Sequence, residues 1–226
     1  MYFDPLYMVF ALPGLALAMW AQWKVKSTFA HYAQIPTRRG INGQEAARQL
    51  MTAQNLRVGV ERIPGAMTDH YDPRAKVIRL SDTSVDNSVA SVAVVAHELG
   101  HAEQDAQNYG PLKLRGGIVP AVQAASWLGP LMFMGGLFLA NRTLAWTGVV
   151  CFAMAAVFAL VTLPVEFDAS RRALRNLESS GLLVGDEIIG AKKVLDAAAL
   201  TYVAAAAQSI LTLLYYVSLM NRSRRE

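Results

Sequence analysis

His97-Glu98-Leu99-Gly100-His101 places two imidazoles four residues apart, with a carboxylate beside the first. On an α-helix, residues at positions i and i+4 lie on one face, one turn apart. Both rings can therefore reach one tetrahedral Zn²⁺, while Glu98 lies near the position that a catalytic zinc keeps open for water. The stretch predicts a zinc-binding helix, which we place at residues 87–109.

A catalytic zinc needs a third protein ligand. The three-histidine class requires glycine at position 104 and histidine at position 107, where this chain has Gln104 and Gln107. That class is excluded, so a downstream carboxylate is the remaining choice. Glu166 is the preferred ligand and Asp168 its competitor, because residues two apart on a helix point to nearly opposite sides and only one can face the zinc.

The composition indicates a membrane protein. Charged residues make up 17% of the chain and hydrophobic residues 54%, whereas a soluble domain carries about a quarter charged residues. Four apolar segments each meet the roughly 20-residue requirement of a bilayer, at residues 6–23, 118–140, 144–165 and 198–220. The first has no basic leading region and no clear cleavage site, so it is predicted to be a retained anchor and not a signal peptide.

These segments divide the chain into five predicted parts. They are an N-terminal transmembrane anchor (1–23), an α+β region with the zinc-binding helix (24–117), a transmembrane helical hairpin (118–165), a helical region with the third ligand (166–197), and a C-terminal transmembrane helix with a basic tail (198–226). The predicted fold class is a mainly α membrane protein with about four transmembrane helices and a small α+β domain.

Local signals outline the α+β region. Asn42 followed by Glu45 predicts a capping box that opens a helix through about Asn55. Short strands are predicted at residues 58–62 and 76–80, with a turn at the Asp-Pro pair that begins at position 72.

Counting membrane crossings supports Glu166 as the third ligand. If the second span crosses away from the side of His97 and the third returns, Glu166 emerges on that same side. Most basic residues near span ends are on this side, and the positive-inside rule then predicts a cytoplasmic zinc site in a multi-pass cell-membrane protein. The basic tail, residues 222–225, argues for the opposite orientation. Arg171 and Arg172 are interpreted as anchors to lipid headgroups.

Charge and cysteine content exclude other classes. The net charge is +4, but the basic residues flank apolar runs and do not alternate with aromatic residues, so no nucleic-acid partner is predicted. The single cysteine, Cys151, excludes an intramolecular disulfide and a cysteine zinc cage. A transporter would need several ionisable groups within its spans, and the neutral interiors of the predicted spans weaken that alternative without excluding it.

The zinc motif, the helical hairpin after it and the stretch Glu166-Phe167-Asp168-Ala169 resemble the YugP-type family of neutral zinc metallopeptidases. Residues 68–73, 77–81 and 111–115 resemble the same family, so the resemblance covers most of the chain. A more distant similarity links the chain to the HtpX-type and CAAX-prenyl membrane proteases. In those proteins the glutamate ligand is followed four residues later by aspartate, where this chain has Ser170. Asp105 and Asp168 are therefore both candidates for orienting a zinc histidine.

The resemblance implies a gluzincin-like domain in an integral membrane metalloendopeptidase with one catalytic Zn²⁺. His97, His101 and Glu166 would be its ligands, and Glu98 would act as the general base on the attacking water. The expected substrate is a membrane-embedded or membrane-adjacent polypeptide. A zinc hydrolase of a non-peptide substrate and a non-catalytic membrane scaffold are the alternatives. The sequence predicts no particular oligomeric state.

Substrate-binding groups are also expected near the zinc. The strand at Val77–Leu80 is predicted to pair with an extended substrate. His70, Tyr71 and Tyr202 are candidate donors to the oxyanion of the transition state.

Overall fold

Long helices dominate the computed structural model, which describes residues 5–222. The elements run in the order α1 (Pro5–Ala33), α2 (Gly43–Ala53), β1 (Gly59–Arg62), β2 (His70–Asp72), β3 (Val77–Leu80), a 3-10 turn (Asp82–Ser84), α3 (Val89–Ala106), α4 (Gly110–Phe138), α5 (Arg142–Ser179) and α6 (Asp186–Arg222). The start of the predicted anchor and the predicted basic tail beyond Arg222 lie outside the described residues.

Among the described residues, four helices, α1, α4, α5 and α6, are long and apolar enough to cross a bilayer, which agrees with the number of spans that the sequence predicts. The chain divides into two compact units. Among the described residues, one unit contains residues 5–21, Leu114–Leu163 and residues 201–222, and it holds most of the apolar length of these helices. The other contains Gln22–Lys113 and Pro164–Leu200 and holds the predicted zinc residues.

The helical region predicted at residues 166–197 is divided between two long helices, each of which also contains a candidate membrane span. Helix α5 continues through Pro164 without a break. A proline within a helix removes one backbone hydrogen bond but need not end the helix. Helix α6 likewise joins the segment near residue 190 to the last span. A break separates the two helices: Gly181 has φ +63°, and the Leu182 N–H donates to the Leu177 carbonyl at 3.1 Å. This is the Schellman ending that favours glycine.

Helix α3 forms the centre of the unit that holds the zinc residues. It begins at Val89, where the Ser88 hydroxyl accepts a hydrogen bond from the Ser91 N–H. Its apolar side is buried, at Val92, Val95, Leu99 and Ala102. Helix α2 packs against α3.

The predicted capping box at the start of α2 is confirmed. The Asn42 side chain accepts a hydrogen bond from the Glu45 N–H at 2.9 Å, and the Glu45 carboxylate accepts one from the Asn42 N–H at 3.0 Å. These contacts satisfy backbone donors that the first turn of a helix leaves open. Ala46 and Leu50 are buried below them, so the local signal and the tertiary packing agree.

The small sheet has the order β1-β3-β2, with β1 parallel and β2 antiparallel to β3. Strand β2 was not expected, although the turn after it was: the Asp72 carboxylate accepts hydrogen bonds from the backbone of Arg74 and Ala75. The prediction that β3 pairs with substrate is wrong, because both of its edges are already occupied. Pairing of β1 with β3 is non-local, so the positions of the strands along the chain did not indicate which one is central.

Candidate metal centre

Helices α3 and α5 bring the three predicted ligands together. The Glu166 carboxylate oxygen Oε2 lies 3.2 Å from His97 Nε2 and 3.5 Å from His101 Nε2. The candidate ligand atoms all lie within 4.8 Å of one another. Ligand atoms bound to one tetrahedral Zn²⁺ lie roughly 3.4 Å apart, given zinc–ligand bonds of about 2.1 Å. The spacing of this cluster therefore fits a single zinc ion.

A glycine within the motif lets the two helices approach. A Cβ atom added to Gly100 would lie 2.5 Å from the Ala169 carbonyl oxygen, and 3.1 Å from its Cα atom. The backbone of α5 thus occupies the space that a side chain at position 100 would need. This close contact is what carries Glu166, which is 2% exposed, to the two histidines.

Hydrogen bonds on the far side of each ring set the direction of its metal-binding nitrogen. His101 Nδ1 lies 3.0 Å from the Gln104 oxygen Oε1, and His97 Nδ1 lies 3.2 Å from the Ser170 hydroxyl. An amide oxygen only accepts, so His101 must donate from Nδ1, which leaves the lone pair on Nε2 for a metal. Such outer contacts fix both the tautomer and the orientation of ligating histidines.

Gln104 is itself fixed in place by its other end. Its amide nitrogen donates to the Val165 carbonyl at 2.8 Å and to the Asp168 carboxylate at 2.9 Å. Because both of these partners are acceptors, they determine which end of the Gln104 amide faces His101. The side chain is completely buried, and Asp168 therefore reaches His101 through Gln104 and not directly.

The network continues to Arg172, whose side chain is 13% exposed. Its guanidinium donates to Asp168 at 2.6 Å and to Glu103 at 2.7 Å. Asn176 donates to the second oxygen of Glu103 at 2.9 Å. The interpretation of Arg172 as a headgroup anchor is wrong, because its charge turns inward to two carboxylates. Arg171 fits that interpretation better, with a side chain 75% exposed.

The predicted general base lies on the opposite side of α3 from this network. The carboxylate of Glu98 accepts a hydrogen bond from the Tyr71 N–H at 2.8 Å and is buried. Burial raises the pKa of Glu98, although His97 and His101 act to lower it. A carboxylate with a raised pKa beside a metal site is suited to accept a proton and return it.

The remaining candidates are found in different surroundings. Asp105 accepts a hydrogen bond from the Tyr71 hydroxyl at 2.6 Å and pairs with Lys76. Burial acts to raise the pKa of Asp105, but Lys76 and the Tyr71 hydroxyl hold it below its usual range. His70 is exposed on β2, where one ring nitrogen lies 3.0 Å from the Thr68 carbonyl oxygen. Tyr202 belongs to the other compact unit.

The sequence analysis missed Gln104 and Ser170 as partners of the histidines. Gln104 was considered only because it is not the glycine of another zinc class, and Ser170 only as a departure from an aspartate. One signal could have identified Gln104. It lies three residues after His101, and residues three apart on a helix are neighbours.

Comparisons with known proteins agree with this site. A family model described as "Putative neutral zinc metallopeptidase" matches residues 7–221. The chain is 43% identical over 223 residues to the "Putative membrane protease YugP" of Bacillus subtilis (strain 168), across 98% of this chain and 99% of that protein. No solved structure matches the chain. The resemblance to the YugP-type family is confirmed.

Proposed function

Because the chain belongs to this zinc metallopeptidase family, we propose that it is an integral membrane endopeptidase that cleaves membrane-embedded or membrane-adjacent polypeptides. The observation that carries the proposal is the cluster of His97, His101 and Glu166, which interacts electrostatically with Glu98. Two imidazoles and one carboxylate form the ligand set of a gluzincin-type catalytic zinc, which keeps a fourth position open.

The chemistry of the donors supports zinc. Both imidazoles turn Nε2 toward the cluster, and Gln104 fixes the tautomer of His101. Glu166 is buried, and a buried carboxylate requires a compensating positive charge. When bound, zinc supplies the Lewis acidity that lowers the pKa of water and polarises a scissile carbonyl.

Glu98 is the proposed general base. It accepts the proton of the attacking water and donates it to the nitrogen of the leaving amine. The Tyr71 N–H engages the carboxylate oxygen Oε2, which orients the side chain and leaves Oε1 for proton transfer. His70 and Tyr202 stay predictions as donors to the oxyanion.

The proposed orientation places the metal centre on the cytoplasmic side. Basic residues near the ends of the spans are more numerous on that side of the predicted topology. A reporter fused after Ser179, between α5 and α6, tests this placement. A cytoplasmic reporter such as a fluorescent protein should be active at that position, and activity of a periplasmic or extracellular reporter there would reverse the orientation.

Glu98→Gln tests the proposed activity. The purified variant should retain about one zinc ion, and its cleavage of a quenched peptide library should fall by a factor of roughly 100 to 10,000. Glu178→Gln, a change of the same kind at an exposed position of α5, is the matched control and should remain active. Undiminished cleavage by Glu98→Gln would contradict its role as the base.

The natural substrates can be sought with the same variant. Membranes containing the active protein should show new protein N-termini that are absent from membranes containing Glu98→Gln. If the wild-type protein binds zinc but produces no new termini and cleaves no peptide, the substrate is not a polypeptide. Hydrolysis of non-peptide esters or amides would then be the activity to measure.

A further inference from the structure

A cleft of about 600 Å³ lies between α1 and α6, apart from the metal centre. Lys24, Ser27 and Thr28 line it from α1, and Lys193 and Leu200 line it from α6. All of these residues belong to one compact unit. We propose that this cleft binds the phosphate group of an anionic phospholipid.

The charge in the cleft favours an anion. Within residues 5–222, neither Lys24 nor Lys193 forms an ion pair, and both are exposed. Asp196 also lines the cleft, but its carboxylate is bound to Lys192 at 2.5 Å. The charges of Asp196 and Lys192 cancel, so the two free ammonium groups leave the cleft with an excess of about two positive charges at neutral pH.

The cleft also contains donors suited to phosphate oxygens. Each ammonium group carries three N–H donors. The Ser27 hydroxyl donates to the Lys24 carbonyl at 3.2 Å, whereas the Thr28 hydroxyl on the same helix has no side-chain hydrogen bond among the described residues and is available to a ligand. A phosphodiester has two charged oxygens, and charge-assisted hydrogen bonds from Lys24 and Lys193 could satisfy both.

The position along the helices indicates a lipid and not a soluble anion. On α1, the apolar stretch ends at Trp23, which is 63% exposed, and tryptophan is enriched where hydrocarbon meets headgroups. Lys24 follows immediately. On α6, the cleft reaches Ala197 and Leu200, where the apolar stretch begins. The cleft therefore lies where apolar residues give way to charged ones on both helices, as a phosphate with attached acyl chains requires.

The dimensions agree with this assignment. Lys24 and His31, both of which line the cleft, are seven residues apart, which corresponds to a rise of about 10 Å along a helix. The headgroup region on each side of a bilayer is about 5–7 Å thick. A cleft that begins at the edge of the hydrocarbon and extends about 10 Å can therefore enclose a headgroup.

The double variant Lys24→Gln/Lys193→Gln tests the proposal. The full-length protein in neutral detergent is titrated with phosphatidylglycerol, and bound lipid is counted by native mass spectrometry. We expect affinity for this lipid to fall roughly 30-fold, because each lysine near anionic lipid contributes about fivefold. Lys24→Arg/Lys193→Arg should restore binding to within a few-fold of wild type.

The chain provides a matched control in Lys26→Gln/Arg222→Gln, at two exposed positions. It removes the same charge from the same two helices at positions that do not line the cleft, and it should bind phosphatidylglycerol like the wild type. Equal losses in both double variants would overturn the proposal, since the effect would then come from general surface charge.

Two further ligands separate the possible sources of phosphate. Wild-type protein should bind phosphatidylglycerol more tightly than phosphatidylcholine, whose headgroup carries a compensating positive charge. Glycerol phosphate, which lacks acyl chains, should bind at least tenfold more weakly. Equal affinity for glycerol phosphate and phosphatidylglycerol would identify a soluble anion as the ligand and overturn the assignment to lipid.

Discussion

The two sides of α3 are built in different ways. Toward α5, the histidines meet Glu166 in a cluster whose outer hydrogen bonds lead to the completely buried Gln104. Toward the sheet, Glu98 meets the backbone of Tyr71, and the nearby Lys76 side chain is 55% exposed. The difference is that the side toward α5 is closed around the candidate ligands, whereas the side toward the sheet is partly open to solvent at Lys76.

The side toward α5 leaves few polar groups free to move. Gln104 uses both ends of its amide, and Asp168 receives hydrogen bonds from Gln104 and Arg172. Glu103 receives hydrogen bonds from Arg172 and Asn176. Removing one member of such a network leaves a buried partner unsatisfied, which costs about 1–3 kcal/mol. Changes on this side should therefore have larger effects than equivalent changes toward the sheet.

The largest difference in zinc affinity is expected between variants of two histidines, one on each side of this comparison. His101→Ala should lower zinc affinity by roughly 200-fold or more, because three ligands share a binding free energy on the order of 10 kcal/mol. His70→Ala, on the exposed strand β2, should leave it unchanged. Competition with a fluorescent zinc chelator measures both. An equal loss at His70 would show that the two sides share the metal.

A smaller effect on the same measurement is expected for Gln104→Met, which keeps the volume of the side chain and removes its three hydrogen bonds. Zinc affinity should fall about 10- to 100-fold, the usual effect of losing a group that orients a ligand. Gln107→Met is the matched control, since Gln107 contacts Glu103 and Arg172 but neither histidine. A loss at Gln107 as large as that at Gln104 would contradict the positioning role of Gln104.

The close approach of α5 can be tested through stability. Gly100→Ala should lower the free energy of unfolding by about 1–3 kcal/mol, because the added methyl group collides with the backbone at Ala169. Gly116→Ala in α4 has no neighbour within 4 Å of the new atom and should be neutral or slightly stabilising. Denaturant unfolding in detergent compares them, and a harmless Gly100→Ala would disprove the tight contact.

The smallest effect on stability and zinc affinity is expected for a substitution on the side of α3 that faces the sheet. Tyr71→Phe removes the hydrogen bond from the hydroxyl to Asp105 and should lower the free energy of unfolding by about 1 kcal/mol. Zinc affinity should stay within about twofold, since Asp105 contacts neither histidine. Tyr109→Phe serves as a control, because its ring can still contact Arg172. A large loss of zinc affinity in Tyr71→Phe would show that the contacts on the two sides of α3 depend on each other.

The sequence indicated the features that depend on local spacing. The i, i+4 histidines lie on one helix, and the Asn42–Glu45 pair caps another. Crossing counts favoured Glu166, which the structure places beside both histidines. These signals succeed because helix periodicity, capping and bilayer thickness act within about 20 residues of chain.

Features that depend on tertiary contacts were not predictable. Arg172 follows a membrane span, where an arginine commonly meets headgroups, yet packing of α5 on α3 brings it to Glu103. Gln104 faces Asp168 for the same reason. The central position of β3 depends on pairing with β1 across an intervening strand. In each case the partner lies at a separation along the chain that no local pattern specifies.

The most direct test of the central claim is a zinc titration of Glu166→Gln beside Asp168→Asn. If Glu166 is the third ligand, its variant should lose roughly 200-fold or more in zinc affinity. Asp168 acts through Gln104, so its variant should lose only about tenfold. A larger loss in Asp168→Asn, or full zinc affinity in Glu166→Gln, would contradict the assignment of His97, His101 and Glu166 as one metal centre.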